Sequence, residues 1–154
     1  MITEPVLTAK GISKEYSLGS RSVKVLKDVE IELLPGDFTS IMGPSGSGKS
    51  TLLHILSGLL SPDSGEVIVN GNDITRMSDS NLTKFRRRNV GLVFQDFNLI
   101  PTLTAEENIL LPVILDGRSP DPANLDKILH QLEIEKRRSH RPSELSGGEC
   151  QRVA

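Results

Sequence analysis

A glycine-rich segment at residues 43–51, GPSGSGKST, constrains the fold of this chain more than any other part of its sequence. It fits the pattern G-x-x-x-x-G-K-[S/T], whose glycines let the backbone turn inward and aim successive N–H groups at phosphate oxygens. Lys49 adds a mobile positive charge for the outer phosphates of a nucleotide, and the Ser50 hydroxyl is a hard oxygen ligand suited to Mg²⁺. This segment, called the P-loop below, therefore predicts a nucleotide site.

The sequence on each side of the P-loop decides between a genuine site and a chance glycine-rich turn. Residues 38–42 form a short strand-like run, and residues 50–60 are apolar at helical spacing. Strand, loop and helix follow in the order that a phosphate-binding loop requires, which disfavours the chance match. We predict an α/β fold with a P-loop NTPase core. The expected nucleotide contacts are Gly43, Pro44, Ser45, Gly46, Ser47, Gly48, Lys49, Ser50 and Thr51.

Composition argues against some classes of function. The 154 residues carry 18 Lys and Arg against 20 Asp and Glu, a net charge of −2, so no basic field attracts nucleic acid. Aromatic residues make up 3% of the chain, which leaves few platforms for stacking bases. Cys150 is the single cysteine and cannot form an internal disulfide. We therefore expect no nucleic-acid partner.

The hydropathy pattern contains no candidate membrane helix. The most apolar stretch, residues 52–60, is much shorter than the roughly 20 residues that a spanning helix needs. The first residues lack the basic and apolar regions of a secretory signal. We expect a cytoplasmic protein that works at a membrane only through a partner.

The first part of the chain has the alternation typical of β-structure. Residues 6–16 and 23–34 are strand-like runs joined by a turn at residues 17–22, and residues 66–70 form another alternating run. These strands lie on both sides of the P-loop in sequence. They predict an N-terminal antiparallel β-layer at residues 1–40 and 65–75.

The remaining segments predict a small core and a helical region. Residues 78–88 read as a helix with Ser78 in its first turn, and residues 90–94 as a buried strand ending at Gln95. Thr104 is expected to cap a helix over residues 105–111, and residues 124–132 form an amphipathic helix. We predict a P-loop core at residues 41–60 and 90–95, and a helical subdomain at residues 100–150.

A second phosphate-handling motif, LSGGE, occupies residues 145–149. Two glycines before a helix leave its first N–H groups exposed to an anion, and Ser146 can add a hydroxyl donor. On its own this sequence is more typical of an ordinary serine cap on a helix.

Together, GPSGSGKST, Gln95 and LSGGE stand in the order of one superfamily. The chain resembles the nucleotide-binding subunit of an ATP-binding cassette (ABC) transporter over essentially all 154 residues. Residues 86–112 further resemble the branch that serves lipoprotein release and macrolide export. The resemblance implies ATP and Mg²⁺ as cofactors, a second ATP-binding subunit and transmembrane permease subunits as partners, and a place at the inner face of the cell membrane.

The resemblance also implies roles for single residues. Tyr16 would stack on adenine, although a packed strand aromatic is the alternative. Gln95 would contact Mg²⁺ and the attacking water, with a plain polar residue at a strand tip as the alternative. Lys49 and Gln95 would be catalytic, and Ser50 and Gln95 would hold the metal. Two subunits would bind two ATP molecules head to tail, each P-loop facing the partner's Ser146, Gly147 and Gly148.

Departures from the family pattern limit these expectations. Cys150 stands where the family commonly has glutamine. The family continues beyond LSGGE into an apolar strand ending in Asp-Glu and a switch histidine, and neither residues 113–116 nor residues 93–96 replace that strand. We therefore expect a truncated chain, with the C-terminal part of the core missing and no hydrolysis by the chain alone. Two alternatives stay open, a non-hydrolytic ATP-binding or regulatory module and an inert truncated product.

Overall fold

The computed structural model describes residues 4–19 and 21–154. The chain divides into two compact units, Met1–Val90 and Gly91–Ala154. The first unit contains the P-loop and a β-sheet, and the second contains the LSGGE motif and three α-helices.

In the described residues of the first unit, four antiparallel strands form one sheet. This confirms the predicted β-layer. The first two strands run further toward each other than predicted, so the connection is shorter than residues 17–22, and Ser20 within it lies outside the described residues. The strands are β1 Leu7–Leu18, β2 Arg21–Leu33, β3 Ser64–Val69 and β4 Asn72–Asp73. Their order across the sheet is β2-β1-β3-β4.

A close approach between β1 and β3 depends on one glycine. Gly65 has a φ of +97°, and a Cβ atom there would lie 2.5 Å from the carbonyl oxygen of Lys10. No other residue fits this position without moving backbone. The pairing of the two strands ends close by, at Ser13 opposite Ser64.

The helix after the P-loop, α1 (Lys49–Leu56), packs on one face of the sheet. Its buried residues recur at helical spacing, as the sequence predicts. A second helix, α2 (Asp79–Asn89), adds partly buried residues, and Arg86 donates from Nη1 to the Gly58 oxygen at 2.6 Å. Buried side chains of this core are Ala9, Ile12, Leu26, Leu52, Ile55, Leu56, Val67, Val69 and Ile74.

Two predicted strands are wrong. Residues 38–42 and 90–94 form no strand in the described parts of the chain, and Phe38, Met42 and Val93 are exposed. A parallel strand is held by the ladders on its two edges and by cover on both faces, rather than by its own sequence. Within residues 4–19 and 21–154 neither run has a hydrogen-bonded neighbour in the sheet.

The second unit is helical, with α3 Ala105–Leu115, α4 Pro122–Gln131 and α5 Gly147–Val153. The third helix continues through Pro112 to Leu115, four residues past its predicted end. No helix in the described residues has the length and apolarity needed to cross a membrane. The buried core of this unit comprises Ala105, Leu125, Leu129, Ile134 and Val153.

Candidate functional site

The P-loop lines a cavity of about 350 Å³ in the first unit. Val25 of β2 also lines this cavity. Lys49 bends back over the loop, and its Nζ donates to the carbonyl oxygens of Gly43 at 3.0 Å and Pro44 at 2.7 Å. These two bonds hold the ammonium beside the cavity that its charge would serve.

Gly48 sets the direction in which the chain leaves the P-loop and enters α1. It is the N-cap of α1 with a φ of +88°, a left-handed conformation that favours glycine. A Cβ atom there would lie 2.9 Å from the Val25 carbonyl oxygen and 3.0 Å from Leu26 Cδ2. The helix N-terminus thus lies directly against β2. This contact fixes the position of the cavity relative to the sheet.

The first turn of α1 provides the remaining donors. Backbone N–H groups in a first helical turn have no partner within the helix, and the helix dipole adds partial positive charge there. Ser50 and Thr51 both lie in this turn and line the cavity. Among the described residues, the cavity wall has one lysine and no carboxylate, and this set of donors fits a polyphosphate anion.

Tyr16 lies on β1 directly opposite Val23 of β2. Tyr16 is 39% exposed, so part of its surface is accessible to a ligand. Val25, two residues beyond Val23, lines the P-loop cavity. The aromatic ring therefore stands on the same two-stranded ribbon that forms one wall of that cavity.

Gln95 belongs to the second unit and is exposed in a turn rather than at a strand tip. The Phe97 N–H donates to the Phe94 oxygen at 3.3 Å to close this turn. Phe97 and Asn98 then adopt consecutive left-handed conformations, with φ of +59° and +53°. The loop that carries Gln95 is therefore sharply bent.

Asn108 on α3 holds the far end of that loop, a role that the sequence analysis missed. Its Oδ1 accepts from the Ile100 N–H at 2.7 Å. Its Nδ2 lies within hydrogen-bond distance of the carbonyl oxygens of Ile100 at 3.2 Å, Leu103 at 3.2 Å and Thr104 at 2.9 Å. The only signal in the sequence is an amide near the start of a helix, which is too common to be diagnostic.

The LSGGE motif begins α5 with a reciprocal capping box. The Glu149 N–H donates to Ser146 Oγ at 3.3 Å, and the Ser146 N–H donates to Glu149 Oε2 at 2.7 Å. Gly147 and Gly148 form the first turn of the helix rather than preceding it, which corrects the predicted arrangement. All three signature residues are exposed.

Arg137 is a second residue that the sequence analysis missed. Its Nε lies 2.8 Å from Glu149 Oε1. Hydrogen bonds from Arg137 and then from Ser146 lower the pKa of Glu149 to about 2. The signature helix is therefore tied to the preceding segment through an ionised carboxylate.

The predicted site residues fall into two groups. Tyr16 and the P-loop belong to the first unit, and Gln95 and Ser146–Gly148 belong to the second. In the described residues no group of three His, Cys, Asp or Glu side chains is arranged to hold a metal ion. The first-turn hydroxyl of Ser50 fits a hard cation that accompanies phosphate.

Comparisons with known proteins agree on one family. Residues 26–154 match the family described as ABC transporter. The chain is 41% identical to the lipoprotein-releasing system ATP-binding protein LolD of Idiomarina loihiensis, over 99% of this chain and 68% of that protein. It is 41% identical to the macrolide export ATP-binding/permease protein MacB of Marinobacter nauticus, over 100% of this chain and 24% of that protein.

A solved structure gives the same answer for the fold. The chain is similar to a dimeric ATP-binding cassette in a post-hydrolysis state bound to ADP and Pi, with a TM-score of 0.86 and 42% identity. The match covers 96% of this chain and 66% of that chain. It confirms the predicted P-loop NTPase fold with an antiparallel N-terminal sheet and added helices.

Proposed function

The chain belongs to the ABC transporter family, and on that premise we propose that it is the ATP-binding part of an export or release system. In this proposal the chain binds ATP and transmembrane permease subunits carry the substrate. Its place is then the cytoplasmic, inner face of the cell membrane, reached through those permeases. The relatives named for lipoprotein release and macrolide export support this branch of the family.

The P-loop cavity is the observation that carries the proposal. Lys49 is held beside it by the Gly43 and Pro44 carbonyls, and a bound triphosphate would offer stronger acceptors for the same ammonium. The first-turn N–H groups of α1 would meet the outer phosphates. Ser50 would hold Mg²⁺, which supplies neutralisation of phosphate charge when it is bound.

Tyr16 and Gln95 complete the proposed assignment for one subunit. The exposed Tyr16 ring would support the adenine by stacking. Gln95 would contact the metal and the attacking water from the loop braced by Asn108. We place the β-layer at residues 1–40 and 65–75, the P-loop core at 41–60 and 90–95, and the helical subdomain at 100–150.

The signature residues would act on ATP bound to a second subunit. Ser146 Oγ already accepts a hydrogen bond from Glu149, so its own proton is free to be donated to a phosphate oxygen. Gly147 and Gly148 expose first-turn N–H groups without a side chain in the way. In this head-to-tail dimer, Lys49 acts in its own subunit and Ser146 acts in the partner.

Nucleotide binding is tested by titration calorimetry with ATP and Mg²⁺. Lys49→Met is expected to weaken binding at least about tenfold, because a charge-assisted contact to phosphate is lost. Lys127→Met on α4 is the matched control, since it removes the same charge from an exposed position in the other unit. Equal affinities for Lys49→Met and the unmodified chain would refute the proposed site.

The assignment of the two motifs to different subunits is tested by mixing variants. Neither Lys49→Met nor Ser146→Arg alone is expected to form an ATP-dependent dimer in sedimentation velocity. An equimolar mixture contains pairs with one intact composite site, so ATP-dependent dimers should reappear. A mixture that stays monomeric, while the unmodified chain dimerises with ATP, would show that both motifs serve the same subunit.

A further inference from the structure

The ribbon that carries Tyr16 extends beyond the support of the sheet. Pairing between β1 and β3 ends at Ser13 opposite Ser64, whereas β1 pairs with β2 as far as Leu18 opposite Arg21. Residues 14–18 are thus hydrogen-bonded as a strand on one side only. Two-stranded ribbons are marginally stable by themselves. The position of Tyr16 must therefore be fixed by contacts outside the ladder.

Asp63 forms hydrogen bonds with the edge of β1 at the point where the pairing of β1 with β3 ends. Its N–H donates to the Ser13 oxygen at 2.9 Å, and its Oδ2 accepts from the Glu15 N–H at 2.7 Å. One residue thus satisfies two backbone groups on the otherwise open edge, directly before Tyr16. Hydrogen bonds from Lys14 and then from the Glu15 backbone lower the pKa of Asp63, so the carboxylate is ionised at neutral pH.

Lys14 connects this edge to the segment that follows α1. Its Nζ donates to Asp63 Oδ1 at 2.7 Å and to the Ser61 oxygen at 2.9 Å. The same Nζ lies 6.0 Å from the centroid of the Tyr16 ring, at the outer limit of cation–π attraction. The Lys14 side chain is only 15% exposed, so its stem is packed and its head has little freedom.

Ser61 in turn belongs to a segment fastened to the P-loop helix. The N–H groups of Leu59 and Leu60 both donate to the His54 oxygen of α1, at 2.8 Å and 3.1 Å. A chain of hydrogen bonds therefore runs from the end of α1, through Ser61 and Lys14, to the strand that carries Tyr16.

We propose that Lys14 and Asp63 are positioning residues for base recognition, because they hold the Tyr16 ring at a fixed distance from the P-loop. This inference rests on the proposed role of Tyr16 as the adenine platform. A nucleotide must engage the ring and the P-loop at once, and a ribbon fixed beforehand loses less freedom on binding. Loss of the Lys14 contact should therefore weaken the base contribution to affinity and leave the phosphate contribution unchanged.

The experiment compares two ligands across three variants. Lys14→Met keeps the packed stem and removes the ammonium, and Asp63→Asn keeps the shape and removes the charge. Lys24→Met is the control, because Lys24 is exposed on β2 opposite Glu15 in the same ribbon. Affinities for ATP and for inorganic triphosphate are measured by calorimetry. Tyr16 is the single tyrosine, so labelling with isotopic tyrosine gives one ring signal in NMR spectra.

We expect Lys14→Met and Asp63→Asn to bind ATP roughly three- to tenfold more weakly, and inorganic triphosphate within about twofold of the unmodified chain. The Tyr16 ring signal of the free protein should shift or broaden in both variants and stay unchanged in Lys24→Met. Asp63→Asn keeps the backbone bond to Ser13, so it provides the test if Lys14→Met fails to fold.

Two results would overturn the inference. Unchanged affinities for both ATP and triphosphate in both variants would show that the contacts do not position the base platform. Equal losses for both ligands would show that Lys14 acts as a general phosphate attractant. The proposed role of Tyr16 fails separately, if ATP leaves the ring signal of the unmodified chain unmoved and Tyr16→Ala binds ATP normally.

Discussion

Replacing Gly48 by alanine should destabilise the free protein by much more than the same change at Gly46. Both glycines have left-handed φ values, +88° and +78°. They differ in their surroundings, because a Cβ atom at Gly46 meets nothing within 4 Å. At Gly48 it would overlap Val25 Cγ1 and the Val25 carbonyl oxygen, each at 2.9 Å, and Leu26 Cδ2 at 3.0 Å.

The two substitutions should reduce the free energy of unfolding by different amounts. A left-handed conformation costs an ordinary residue roughly 1–2 kcal/mol, and both variants pay this cost. Overpacking adds about 1–3 kcal/mol when backbone must move, and the Val25 carbonyl is backbone of β2. Gly48→Ala should therefore lose roughly 2–5 kcal/mol in all, against roughly 1–2 kcal/mol for Gly46→Ala.

The measurement is urea unfolding of the two variants and the unmodified chain. Nucleotide is left out, because both glycines line the P-loop cavity and a ligand would add its own effects. The unfolding midpoint should fall in the order unmodified chain, Gly46→Ala, Gly48→Ala, with similar slopes. Equal midpoints for the two variants would show that α1 can shift away from β2 at no cost, and would refute the account of Gly48 as a fixed contact.

Three further predictions concern caps and loops. Thr104→Ala should cost about 1 kcal/mol in urea unfolding because it removes a capping box, whereas Ser78→Ala should cost close to nothing, since Ser78 makes no side-chain cap bond. The stabilisation that ionised Glu149 provides is present above its ordinary pKa of 4.5 and is lost as pH falls through about 2. The difference in urea midpoint between the unmodified chain and Glu149→Gln should therefore shrink below about pH 4.5, and a difference independent of pH would contradict this. Asn108→Ala should speed hydrogen exchange of the Ile100 amide, and an unchanged rate would remove Asn108 as the brace of the loop.

The sequence predicted best the features that are set locally. The helix α4 was found from the spacing of its apolar residues, and Leu125 and Leu129 are buried as expected. The P-loop was found because its glycines and Lys49 have fixed positions in one motif. The antiparallel sheet was found from alternation along strands with one buried face.

The predictions that failed have other physical causes. Residues 38–42 and 90–94 carry the composition of buried strands, but a strand exists only with its neighbours, and composition does not report them. The end of α3 was predicted at residue 111, whereas the helix continues through Pro112 to Leu115. Lys14 and Arg137 were missed because each acts through a contact with a residue distant in sequence, which no local pattern encodes. Asn108 was missed because an amide near the start of a helix is too common to be diagnostic.

Comparison of Ser146 with Ser78 shows what a local signal can and cannot say about the signature. Both serines precede a helix, but only Ser146 has a glutamate three residues later, and only Ser146 forms a capping box. That box uses the serine oxygen as an acceptor, which leaves the hydroxyl proton as the group to offer to a partner's phosphate. In this arrangement the Glu149 carboxylate would lie close to the partner's phosphate. The ion pair from Arg137 offsets the Glu149 charge, so the capping box and the proposed phosphate contact are compatible.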